Sequence, residues 1–134
     1  MKAVLMRVQR ASVTIDERET RSIGRGFLIL LAVTHDDTEA QAVKLADKLC
    51  SLRLFEDADG KINLTLDEVG GEIMIVSQFT LYGNCRKGRR PEFLNAARPE
   101  TAIPLYEKFV SLPHGWRSPL RLGVPQEDSV DIAF

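Results

Sequence analysis

Ser77-Gln78-Phe79-Thr80-Leu81 closes an apolar run that opens at Gly70-Gly71-Glu72 and continues as Ile73-Met74-Ile75-Val76. A strand built on that run delivers two hydroxyls, an amide and an aromatic ring to the rim of a sheet. Soon afterwards Arg86-Lys87-Gly88-Arg89-Arg90-Pro91 places four positive charges in five residues, with no negative charge among them. A polar rim beside concentrated positive charge suits a phosphate-bearing substrate held against a small polar pocket. Ser77 and Thr80 are candidate nucleophiles, but a hydroxyl needs a neighbouring base to activate it, and the sequence offers none at a telling spacing. A polar strand end that merely closes a sheet is the competing reading. The basic run competes in turn with an ordinary solvated face. Phe79, Tyr82 and Phe93 flank it, and aromatic rings beside cations can stack on a base or ribose while the cations meet phosphates.

These residues sit in a chain of 134 residues with 44% hydrophobic and 28% charged content, which fits one globular domain with a single real core. The net charge is −1, so no global field draws in nucleic acid, and RNA contact must be local to residues 86–90. Cys50 lies on a helical pattern and Cys85 in a polar loop. Neither has a partner at disulfide or zinc spacing, which predicts free thiols in a reducing cytoplasm and no metal site. No stretch reaches the length of a membrane span, and the first residues lack a secretory apolar core. The expected protein is soluble and cytoplasmic, with no membrane contact.

Alternation and helical spacing supply the elements that position the chemistry. Residues 2–8 and 11–16 read as strands, 20–23 as a weaker one, and 27–34 as a buried one. Thr38-Glu39-Ala40-Gln41 is a capping box, and Ala42, Leu45, Ala46, Leu49 and Leu52 continue it as a helix over 38–52. Short strands are expected at 53–56 and 61–64 around the turn Asp57-Ala58-Asp59-Gly60. The strand over 72–78, the most continuously apolar, is expected at the centre of its sheet. Residues 83–98 form a polar loop, and a second helix spans 100–111 with Leu105, Tyr106, Phe109 and Leu112 on its apolar face. Beyond Pro113, Leu120-Arg121-Leu122 and residues 130–134 are strand candidates. The order of elements predicts an α+β fold with a mostly antiparallel sheet. Gly24-Arg25-Gly26 lacks the third glycine and following helix of a dinucleotide loop, and Asp57-x-Asp59-Gly60 lacks the closing Glu of a calcium loop, so both read as turns. His35 before Asp36-Asp37 reads as a solvated helix-entry loop, and His114 is assigned no role.

The chain resembles the D-aminoacyl-tRNA deacylase family. The resemblance is carried in order by Met1 to Arg10 with Ala11-Ser12-Val13, Gly24-Arg25-Gly26, Thr34-His35-Asp36-Asp37, Leu52-Arg53-Leu54-Phe55-Glu56-Asp57, Gly70-Gly71-Glu72, Ser77-Gln78-Phe79-Thr80-Leu81-Tyr82 and Lys87-Gly88-Arg89-Arg90-Pro91. It covers about residues 1–112, a deacylase-like body, and leaves 113–134 as a divergent or truncated tail of the same domain. The resemblance implies a single α+β domain with a barrel-like sheet and two main helices, acting as a homodimer without metal or organic cofactor. The implied reaction is hydrolysis of the ester between a D-amino acid, or glycine, and the 3′-terminal adenosine of tRNA. It places Ser77, Gln78, Phe79 and Thr80 in the catalytic pocket, with Arg7, Leu81, Lys87, Arg89 and Arg90 contacting substrate. Two chemistries are open within it: a Thr80 nucleophile, or assistance by the substrate's own RNA hydroxyl with backbone amides fixing the ester.

The family's second motif, Asn-x-Gly-Pro-x-Thr, enters the partner subunit's pocket through a cis Gly-Pro bond and excludes L-amino acids, and the resemblance implies that Arg7 helps to hold it. This sequence contains no Gly-Pro dipeptide; Gly123-Val124-Pro125 is the nearest approach. The abrupt end of the resemblance is expected from a truncation or frame change rather than gradual divergence. The rival readings are a catalytically inactive binder of the tRNA end and a truncated, non-functional product.

Overall fold

A computed structural model describes residues 1–15, 17–112 and 129–133. β1 (Lys2–Val8) turns at Gln9 directly into β2 (Arg10–Ile15), which pairs antiparallel with β3 (Glu19–Ile23). β4 (Gly26–Ala32) returns antiparallel to β1, with Lys2 opposite Ala32 and Arg7 opposite Phe27. Helix α1 (Glu39–Ser51) and the two short strands β5 (Phe55–Glu56) and β6 (Ile62–Leu64) follow. β7 (Glu72–Ser77) then pairs parallel with β4. Helix α2 (Pro99–Ser111) and β8 (Ser129–Ala133), antiparallel to β2, complete the described chain. Two three-stranded sheets result, β1-β4-β7 and β3-β2-β8, with β5 and β6 forming a small third. One parallel pairing among antiparallel ones, with two helices, is the expected α+β domain.

Why residues 27–31 and 73–76 are apolar without alternation follows from the layers. Phe27, Ile29, Leu31, Ile73 and Ile75 pack with Ala42, Ala46, Leu49, Tyr106 and Phe109 of the two helices. Leu28, Met74 and Val76 point the other way, against Val8, Ala11, Val13 and Ile23. The β1-β4-β7 sheet is therefore covered on both faces, and strands of that kind read as continuous hydrophobic runs. The expectation that 72–78 is central needs correction. β4 holds the middle of the three strands, and β7 stands beyond it. Ile73 to Val76 are nevertheless all buried, because α2 covers that side: the Tyr106 hydroxyl donates to the Ile75 carbonyl at 3.0 Å. Strand order is set by pairing across distance, which apolarity alone does not encode.

Local chemistry accounts for the ends of the elements. The Thr38 N–H donates to Gln41 Oε1 at 2.7 Å, so the capping box starts α1 as its sequence predicts. Pro99 occupies the first turn of α2, where its missing N–H costs nothing, while Pro104 lies inside the helix. Gly26 is required by a close approach: a Cβ there would stand 1.8 Å from the Glu72 carbonyl oxygen. Asp57 organises the β5–β6 turn by accepting from the Lys61 and Asp59 N–H groups and from Asn63 Nδ2. The Lys61 N–H, the largest influence, helps hold its carboxyl below the ordinary value. The sequence expectation of a strand at Leu120-Arg121-Leu122 falls outside the described residues, as does His114.

Candidate functional site

β4 and β7 run side by side and end together. The Gln78 N–H donates to the Leu31 carbonyl at 2.7 Å and extends their ladder one residue past β7. The chain then leaves the sheet in a single 3-10 turn, Phe79–Tyr82, closed by Leu81 N–H to Gln78 O at 3.3 Å and Gly83 N–H to Thr80 O at 2.9 Å. The turn raises Phe79 and Thr80 onto the surface and leaves Ser77 and Gln78 partly buried beneath them. The sequence predicts a polar strand end here; the 3-10 turn that presents it is additional.

The Gln78 side-chain amide donates through Nε2 to Thr80 Oγ1. An amide can take no proton from a hydroxyl at neutral pH, whichever of its two atoms faces Thr80. Among the described residues no His or carboxylate bonds to Thr80, so the arrangement lacks the base that a threonine nucleophile requires. The backbone N–H groups of Phe79 and Thr80 have no carbonyl partner among the described residues. They are neighbouring donors at an accessible surface, the type of group that stabilises an oxyanion.

Three segments brace this turn. From β1, Lys2 Nζ donates to the Leu81 carbonyl at 3.4 Å and stands 4.5 Å above the centre of the Tyr82 ring. From the end of β4, Thr34 donates its N–H to Asp37 Oδ2 at 2.9 Å, and the same oxygen pairs with the Met1 ammonium at 2.5 Å. Burial raises the Tyr82 phenol above its ordinary value, the nearby Asp37 carboxylate adds to the rise, and a hydrogen bond with Thr34 opposes it. The third brace is the returning loop. Phe93 meets Phe79 edge to face at 5.4 Å, the Thr34 hydroxyl donates to the Asn95 carbonyl, and the Ala97 N–H donates to the Val33 carbonyl. His35, expected in a solvated entry loop, is exposed but tethered: its Nε2 lies 2.6 Å from the Leu94 carbonyl, which it can only meet as a donor.

Between the turn and Phe93 the basic run forms a closed loop. Asn84 and Glu92 exchange backbone hydrogen bonds at 2.9 and 3.0 Å, and Asn84 Nδ2 donates to Glu92 Oε1 at 2.8 Å. Gly88 takes a left-handed φ of 83° at the tip, where an L side chain would be strained. Arg86, Lys87, Arg89 and Arg90 are all exposed, and none forms an ion pair with another described residue. The structure thus brings Ser77, Gln78, Phe79, Thr80 and Leu81 together and sets the loop bearing Lys87, Arg89 and Arg90 directly after them.

Arg7 is elsewhere. It pairs in register with Phe27, whereas Gln78 bonds to Leu31, four residues or about 13 Å further along β4. Its guanidinium donates to the Leu54 carbonyl at 2.8 Å and lies 3.9 Å from Glu56. There it lines a cavity of about 540 Å³ with Val8, Gln9, Arg25, Phe55 and Glu56. One chain therefore holds two separate groups of the expected site residues. Sequence reasoning missed Lys2 and Asp37 as supports. Lys2 is a lone cation at the start of a strand, and Asp37 sits in a helix-entry loop, so neither carries a local signal. Among the described residues no cluster of three or more His, Cys, Asp or Glu is arranged to hold a metal, and no helix is long and apolar enough to cross a membrane.

Comparison with known proteins bears on the same residues. A family model described as D-Tyr-tRNA(Tyr) deacylase matches residues 4–123. The chain is 56% identical over 110 residues to a D-aminoacyl-tRNA deacylase of Clostridioides difficile, covering 82% of this chain and 74% of that one. It is 54% identical over 109 residues to a D-aminoacyl-tRNA deacylase of Thermus aquaticus, covering 81% and 72%. Among solved structures it is similar to the c-Myc DNA Unwinding Element Binding Protein, with a TM-score of 0.86, 35% identity and coverage of 99% and 91%. A probable eukaryotic D-amino acid tRNA deacylase shares the fold, with a TM-score of 0.69 at 22% identity over 81% and 63% of the two chains. With the family model spanning the sheet, the turn and the basic loop, and relatives more than half identical over most of their length, the chain belongs to the D-Tyr-tRNA(Tyr) deacylase family.

Proposed function

We propose that this protein hydrolyses the ester joining a D-amino acid, or glycine, to the 3′-terminal adenosine of tRNA. The class of ester follows from family membership and from the names of the relatives. The observation that carries the chemistry is at Thr80, whose hydroxyl is bound among the described residues by an amide and no base, beside the N–H groups of Phe79 and Thr80, which have no carbonyl partner there. Such a site orients an ester and stabilises the charge that develops on its carbonyl oxygen, and it supplies no protein nucleophile. Water attacks the carbonyl carbon, the C–O bond to the ribose breaks, and the departing ribose oxygen takes up a proton. The neighbouring ribose hydroxyl of the substrate serves as the proton relay. The exposed cations at 86–90 meet the phosphates of the acceptor end, with Phe79 against a base or sugar.

Two copies of the chain form the working unit in this reading. Arg7 and the Ser77–Thr80 turn lie at opposite ends of β4, and a two-fold dimer can bring one subunit's Arg7 end near the other subunit's turn. Charging a tRNA that ends in 2′-deoxyadenosine tests the chemistry. Relay by the ribose hydroxyl predicts a loss of about 100-fold or more against the ribose substrate. Equal rates would exclude the relay and return the proton transfer to the protein.

A further inference from the structure

The amides of Phe79 and Thr80 are held by a single turn of 3-10 helix, which has little rigidity of its own. Of the three segments that brace it, only Lys2 brings a cation to the end of the turn. Its ammonium bonds to the Leu81 carbonyl at 3.4 Å and lies 4.5 Å over the Tyr82 ring, so one cation touches both residues that follow Thr80. Lys2 reaches them from a rigid base, because its backbone is in register with Ala32 at the end of β4, and β4 in turn bonds Gln78 through Leu31. Thr34, two residues past Ala32, is tied to Asp37, and Asp37 to the Met1 ammonium on the other side of Lys2. Lys2 itself is exposed and takes part in no ion pair among the described residues, so the fold has little need of its charge.

We propose that Lys2 and Tyr82 form a clamp that positions the Phe79 and Thr80 amides against the scissile ester, making both of them positioning residues for the reaction. The inference rests on the ester-hydrolysis reading, and it predicts an effect on turnover rather than on substrate capture. Amides that must meet an oxyanion lose effectiveness when displaced by a fraction of an ångström, whereas phosphate contacts at 86–90 tolerate the same displacement. The cation–ring contact also makes the two residues interdependent.

Steady-state kinetics on D-Tyr-tRNA with Lys2→Met, Lys2→Arg, Tyr82→Leu and the Lys2→Met/Tyr82→Leu double variant test the clamp. Lys2→Met keeps the aliphatic stem and removes the charge. The expected result is a kcat lowered about 10-fold with KM changed less than about twofold, most of the loss recovered in Lys2→Arg, and a double variant no worse than the poorer single one. An unchanged kcat in folded Lys2→Met would overturn the proposal. So would a raised KM with intact kcat and a flatter salt dependence, which is the mark of a phosphate contact. Amide hydrogen exchange keeps the clamp testable if the wild-type protein shows no turnover, a result that would instead defeat the ester-hydrolysis reading. Leu81 and Gly83 N–H are both hydrogen-bonded within the turn, and faster exchange at these two in Lys2→Met supports the clamp. Unchanged exchange there overturns it.

Discussion

Thr80 is where the two chemistries open to this family part company. Its hydroxyl bonds to the Gln78 amide, and removing it deprives that amide of an acceptor while leaving the Thr80 N–H in place. Thr80→Val, which keeps the shape of the side chain, is expected to retain turnover of D-Tyr-tRNA within about 10-fold. A folded Thr80→Val variant slower by several orders of magnitude would point to a threonine nucleophile. At this scale the sequence is informative about side chains and silent about backbone. Ser77 to Thr80 are recognisable as a site because their types and order are distinctive. The N–H groups of Phe79 and Thr80, without a carbonyl partner among the described residues, belong to any sequence that makes this turn, and Lys2 comes within reach of Leu81 only because β1 pairs it with Ala32 at the end of β4. The proposed oxyanion donors and their proposed support are therefore beyond reach of residue types alone.

Among the elements, the basic loop and the β4–β7 pair carry the clearest consequences. Arg86, Lys87, Arg89 and Arg90 stand on a hairpin-like loop closed by Asn84 and Glu92, clear of the core. Replacing all four by Ala is expected to weaken tRNA binding and flatten its dependence on salt without lowering the melting temperature. Unaltered affinity would reduce the run to a solvated loop. Gly26→Ala should have the opposite profile, because its Cβ meets backbone, not a movable side chain, at the start of the parallel pair. The expected cost is about 3 kcal/mol or more, read from urea unfolding midpoints; a loss below about 1 kcal/mol would mean that β4 and β7 separate easily at that end. Both helices were legible from their spacing and caps, and Thr38 with Gln41 is a local signal that the structure uses as written. The position of β7 beyond β4 was not legible. Ile73 to Val76 owe their burial to α2 on one side and to β2 and β3 on the other, and a continuous apolar run looks the same at the centre of a sheet or under a helix.

For the whole molecule, the separation of Arg7 from Gln78 along β4 is the fact that a sequence alignment of motifs cannot express. The resemblance groups Arg7 with Ser77 to Thr80 as one site, and a single chain keeps them about 13 Å apart. The proposed dimer would reconcile the two, and sedimentation is then expected to find a species of twice the 15.0 kDa chain mass. The sequence as it stands has no Gly-Pro dipeptide, the element from which the family's exclusion of L-amino acids is expected. If a Gly-Pro element supplies that exclusion, the chain as given, which has none, is expected to keep the proposed oxyanion donors and to show poor D-over-L preference. A family-like tail grafted after Leu112 should raise it. Strong D-selectivity in the unmodified chain would assign the exclusion to some residue of 113–134.

Whether this chain hydrolyses aminoacyl-tRNA esters is decided by the release of D-tyrosine from D-Tyr-tRNA. The loss of the charged tRNA is followed with and without the folded protein at neutral pH. Hydrolysis by this chain is expected to accelerate the loss in proportion to protein concentration, with many turnovers per chain. Loss at the spontaneous rate, with tRNA binding and fold both intact, would contradict it and leave a protein that holds the tRNA end without cutting the ester.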